Sequence, residues 1–143
     1  MDVKGMREIL FRGKRIDNGE WVEGYFVNLW LMHYQKHQPI ITDNNAVSYD
    51  VDHSTVGQYT GLTDKKGKKI FEGDIMAFTA YGFDYVGTVE FADGSFSIMC
   101  EHTSPFLDQA VSKHGAYVIG NMHDNPELLG QNDQRTSKMD EGA

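Results

Sequence analysis

Several groups of residues in this chain are of a type and spacing that could do chemistry. His33 and His37 stand four apart, the spacing that puts two imidazoles on one helical face toward a metal. No glutamate lies between them to serve a hydrolytic zinc, and the residues around them lack helical periodicity. The other four of the six histidines, His53, His102, His114 and His123, are scattered. No metal and no cofactor is expected. Glu72 and Asp74 form a carboxylate pair about Gly73. Acid–base catalysis needs two carboxyls in different environments facing one cleft. Here Gly73 bends the chain, and the simpler expectation is a structural turn in which Asp74 accepts nearby backbone N–H groups. His123-Asp124 lacks a nucleophile elbow or a cysteine signature to complete a triad. Cys100 is the single cysteine, so no intramolecular disulfide forms. Its neighbours Phe96, Ile98 and Met99 mark it as a small core residue rather than a nucleophile. No enzymatic activity is expected.

The remaining candidate is a binding site. Lys65, Lys66, Lys68 and Lys69 are the one basic cluster, with Tyr59 and Phe71 flanking them. Lysines interleaved with aromatic rings are what nucleic acids and acidic partners recognise. The whole chain opposes this, because 21 acidic residues outweigh 13 basic ones and the net charge is −8. A turn also needs lysines simply for solvation. Nucleic-acid binding through 65–69 is therefore the alternative. The leading expectation is a protein-binding module with a protein partner, and homo-oligomerisation through a strand edge.

The elements that position these residues are mostly strands. The 143 residues suit one domain, read here as 1–129. Fifteen glycines, three prolines and 12% aromatic residues point to short strands between tight turns. Asp17-Asn18-Gly19-Glu20 predicts an N-terminal hairpin over 7–30 with a type I′ turn at Asn18-Gly19. A loop is expected at 32–38, a short edge strand at Pro39-Ile40-Ile41, and a half-buried strand at 47–52. The barrel core is placed at about 56–100, where strands with two apolar faces alternate with turns such as Asp93-Gly94. A helix is predicted over 104–114, with Ser104 as N-cap, Pro105 at the first position and Gly115 as the stop. Asn125-Pro126 suggests one more short helical turn. Residues 130–143 are polar and small, and are read as a disordered tail.

No run of apolar residues approaches the ~20 needed to span a bilayer. No secretory leader pattern opens the sequence. A cytoplasmic protein without membrane contact is expected.

Five blocks occur in order: Arg7-Glu8-Ile9-Leu10-Phe11-Arg12-Gly13-Lys14, Gly19-Glu20-Trp21-Val22-Glu23-Gly24, Thr55-Val56-Gly57-Gln58-Tyr59-Thr60-Gly61-Leu62 with Asp64 and Gly67, Ile70-Phe71-Glu72-Gly73-Asp74-Ile75, and Gly120-Asn121-Met122-His123-Asp124-Asn125-Pro126-Glu127-Leu128. The series resembles the YopX-like family of phage and prophage proteins, and covers nearly everything up to Leu129. The resemblance implies a mainly β fold with a small SH3-type β-barrel core, extended here by an N-terminal β-hairpin and one or two short helices near the C-terminus. It also implies a phage or prophage origin and a bacterial host cytoplasm. It brings no catalytic residue with it.

Overall fold

The computed structural model describes residues 8–129. The expected tail at 130–143, and Arg7 of the first hairpin, lie outside the described residues. Among the described residues the fold is mainly β, with ten strands, one α-helix of eight residues and a short helical turn at 127–129 after Asn125-Pro126. Contacts divide the chain at Gly61 into two compact units.

The first unit is an antiparallel sheet built from β1 (Phe11–Lys14), β2 (Trp21–Leu31), β3 (Lys36–Thr42), β4 (Ser48–Asp50) and β5 (Gly57–Thr63), in the order β4-β3-β2-β1-β5. A single 3-10 turn at His53–Thr55 precedes β5, its first N–H groups capped by Asp52. Ile41 and Val51 are its fully buried side chains. The hairpin between β1 and β2 forms where the Asn-Gly signal predicts, but not with a type I′ turn. Only Gly19 has positive φ, at 73°, and the loop is closed by Arg15 N to Glu20 O and Gly19 N to Arg15 O. The Arg15 guanidinium, held bidentate by Asp17, fixes this wider loop.

Two expectations for 31–42 change. The loop expected at 32–38 is a tight turn at 32–35, and strand pairing resumes at Lys36 opposite Leu31. The proline strand is not at an edge, since β3 lies between β2 and β4. Pro39 is accommodated because its carbonyl accepts from Val51 N on the β4 side. The N and C=O of one strand residue point the same way, so the missing N–H takes nothing from β2.

Within the second unit, β6 (Lys69–Phe71) returns after β5, and β7 (Asp74–Ala80), β8 (Phe83–Ala92), β9 (Ser95–Met99) and β10 (Tyr117–Asn121) form a sheet in the order β10-β7-β8-β9. Two two-residue turns join its hairpins. Tyr81-Gly82 and Asp93-Gly94 each have positive φ at both positions, as a type I′ turn requires. The helix α1 (Leu107–His114) lays Leu107 and Ala110 onto Ile70, Met76, Phe78, Val89 and Ile98. Gly115 ends it in the left-handed region at φ 63°.

The helix starts two residues later than its capping signal predicts. Its N-cap is Phe106, with no side-chain cap. The reason is a strand-like pairing upstream: Ile98 N donates to Pro105 O, and Phe106 bridges Ser97. That pairing holds residues 105–106 extended, so Ser104 and Pro105 cannot open the helix. The expected barrel closure is also missing, because the pairings of the described residues form open sheets.

Candidate functional site

The lysine turn is organised by a carboxylate rather than by a ligand. Asp64 is buried, and its Oδ1 accepts from Lys66 N at 2.9 Å and Lys68 N at 3.0 Å. Its Oδ2 accepts from Val118 N at 3.1 Å, tying the turn to β10 across 54 residues of sequence. Burial pushes this carboxyl up, but the N–H groups of Val118, Lys68 and Lys66 and the Lys66 charge outweigh it, so its pKa lies below the ordinary 3.8. The lysines then separate. Lys66 Nζ sits 4.8 Å over the Tyr117 ring, and Lys65 lies along Gly115, with its Nζ 2.6 Å from where a β-carbon would stand. Tyr59 and Phe71 are both buried, and neither ring offers a face for stacking. Sequence reasoning overlooked Asp64 because an acid beside four lysines looks like surface charge.

The remaining sequence candidates fall into structural arrangements. Gly73 has φ 88°, and its N donates to Val89 O while its carbonyl accepts from Met122 N. Asp74 is buried, and its Oδ2 accepts from Phe71 N at 2.8 Å. Asn121 Oδ1 accepts from His123 N and Asp124 N, and its Nδ2 donates to Asp124 Oδ2. His33 lies in a turn and His37 on β3, where its ring stands 4.9 Å from that of Trp30. Among the described residues, no three His, Cys, Asp or Glu side chains converge as a metal site would need. Burial raises the Cys100 thiol to about 11. No helix among the described residues is long and apolar enough to cross a membrane.

A further concavity lies in the second unit. A groove of about 310 Å³ runs between α1 and the β7–β8 hairpin. Phe78, Tyr85 and Ala80 form its floor, Tyr81 and Phe106 are among its walls, and Gln109, Lys113, Thr103 and His114 supply polar groups. The rings are ordered by one another. Phe78 stacks on Tyr85 at 5.1 Å and on His114 at 6.0 Å, and Tyr81 meets His114 edge-on at 5.6 Å. Tyr81 and Phe106 nevertheless remain 85% and 59% exposed. Nothing in the local sequence announces this groove. Its residues come from positions 78–85 and 103–114, and only the packing of α1 brings them together.

The second unit therefore carries, on a mainly β scaffold, a groove lined by rings and a few polar groups. Comparison with known proteins adds the family. The chain belongs to the YopX protein family, whose model, described as YopX protein, matches residues 10–130. It is also similar to the crystal structure of protein EF1440 from Enterococcus faecalis, at 27% identity and a TM-score of 0.57, over 87% of this chain and 99% of that one. A search of curated proteins gives no match.

Proposed function

We propose that this chain is a non-enzymatic protein-binding module whose aromatic groove takes an extended segment of a partner protein. The observation that carries the reading is a pair of local sacrifices at the groove. Tyr81 holds a bulky side chain at φ 55°, where Asn or Gly costs least. Phe106 occupies an N-cap, where Ser or Asp would satisfy a helix N–H. Both rings stay largely in solvent, so neither is recompensed by burial. Residues that break local rules without a packing gain mark function.

SH3-type modules bind extended segments along aromatic-lined grooves, and the second unit is read as working in that way. Apolar or proline side chains of the partner would lie on Phe78, Tyr85 and Phe106, and an acidic group would meet Lys113. The family resemblance makes a phage or host protein in the bacterial cytoplasm the expected partner.

The test starts with capture from a phage-bearing bacterial lysate, with and without nuclease. The identified protein is then titrated against wild type and a Tyr81→Asn, Phe106→Ser double variant. Both substitutions suit their backbone positions, so the variant should keep its stability within about 1 kcal/mol. A nuclease-resistant partner whose affinity falls at least about tenfold, about 1.4 kcal/mol, is expected. A partner lost on nuclease treatment, or bound equally by the variant, overturns the reading.

A further inference from the structure

We infer that the chain self-associates through the outer edge of β2, two copies pairing antiparallel about Asn28. The inference begins with how each sheet edge is finished. In the second unit the chain covers its own edges. The outer side of β9 is met by 103–106, through Ile98 N to Pro105 O and Cys100 N to Thr103 O. On β10, Val118 N is taken by Asp64. In the first unit β4 is only three residues long, with Asp50 at its end. Short strands and charge are how proteins blunt edges.

The edge of β2 has neither protection. Its pairing with β1 ends at Gly24, opposite Phe11, and the strand runs on to Leu31. Among the described residues, no strand pairs with that side of 25–31. The segment 25–31 carries no charge in a chain of net charge −8. Beyond Pro39 and Asn28 the hairpin is a bare two-stranded arm, a form that is marginal in water.

Two independent facts say which groups the edge presents. Leu10 O accepts from Tyr59 N and Lys14 N donates to Thr55, so the even residues of this segment face β5, and Phe11 and Gly13 face β2. Their partners are Gly24 and Val22, which puts the even residues of β2 on the β1 side. From the other side, Pro39 faces β4, so Asn28 opposite it faces away from β3. Phe26, Asn28 and Trp30 therefore direct N–H and C=O outward. The His37 ring approaches Asn28 O at 3.4 Å, the outer limit of a hydrogen bond, which a main-chain N–H would replace.

This edge is complementary to itself. A two-fold axis at Asn28 sets Asn28 opposite Asn28 and Phe26 opposite Trp30, all with outward-facing groups. The three pairs would exchange main-chain bonds with no register conflict. On one face of the joined sheet, Val27 meets Leu29 and Tyr25 meets Leu31. Tyr25, Val27, Leu29, Trp30, Met32 and Tyr34 are between 43% and 78% exposed. These apolar side chains flank the edge on both faces, where cross-strand apolar pairs stabilise a sheet.

The experiment is sedimentation of the full chain between 5 and 200 µM (roughly, a range that brackets micromolar affinity), with Asn28→Pro and Val27→Lys, Leu29→Lys variants. Asn28→Pro removes an N–H that serves no bond among the described residues, and the lysine pair sets like charges opposite each other across the axis. Wild type should be dimeric, with each variant at least about tenfold weaker and its circular dichroism unchanged. A monomeric wild type overturns the inference. So does a dimer that survives the lysine variant, which sits on an exposed face and decides the matter if the proline variant fails to fold.

Discussion

Removal of Asp64, a buried charged side chain in the second unit, has a calculable signature. Its two oxygens take three main-chain N–H groups, two in its own turn and one on β10. A hydrogen bond to a charged group contributes about 1.5–3 kcal/mol when removed singly, and bonds that share an acceptor do not add. Asp64→Ala should therefore cost about 3–5 kcal/mol. Asp64→Asn keeps one oxygen for Lys66 and Lys68 but turns an amide toward Val118 N–H, and should cost about 1–3 kcal/mol. The pH dependence separates this account from simple packing. The folded pKa is depressed below 3.8, so the carboxylate's contribution is complete above that value and is lost as pH falls through the folded pKa. The gap between wild type and Asp64→Asn should be largest at neutral pH and close in acid, because the protonated acid and the amide are alike. Trp21 and Trp30 both lie in the first unit, so indole fluorescence would follow the wrong part of the chain. Urea unfolding followed by far-ultraviolet circular dichroism, with exchange of the Val118 amide, reads the right one. A gap that stays constant or widens toward pH 3 would refute the role given to the charge.

Two further outcomes follow from close contacts. Gly24 lies so near β3 that a β-carbon would stand 2.0 Å from the Thr42 carbonyl oxygen, so Gly24→Ala should destabilise the first unit by at least about 3 kcal/mol in denaturant titration; a loss under about 1 kcal/mol contradicts the pairing. The Cys100 thiol, raised by burial from 9.0 to about 11, should react with iodoacetamide about a hundredfold more slowly in the folded protein than in urea at pH 7.5, and equal rates would place it in solvent.

How far the sequence could be read depended on whether a local signal was also the dominant force. Asp93-Gly94 forms the turn its dipeptide predicts, because two positive-φ residues and two alternating strands agree. Gly115 stops the helix for the same reason. At Asn18-Gly19 the signal located the hairpin but not the turn, since Arg15 and Asp17 brace a wider loop from positions outside the dipeptide. The mainly β class was legible from glycines and aromatic residues. Barrel closure was not, because it depends on strand pairing across long separations that no local pattern encodes. Asp64 was invisible because its third partner lies 54 residues away.

Three departures from local expectation lie where apolar groups are exposed. The helix start failed at Phe106, the turn at Tyr81-Gly82 holds a tyrosine at positive φ, and the segment 32–38 was taken for a loop. The first two are at the groove, and the third is the tip of the β2–β3 arm. Local rules describe the cheapest backbone for a given side chain. They mislead where the chain keeps a costlier side chain for another purpose. A serine at 106 and an asparagine at 81 would fit their backbones better, and a lysine in 25–31 would protect the edge. All three departures leave apolar groups largely in water. The two proposals give them one physical account, a contact outside the chain, through rings in one unit and through main chain in the other.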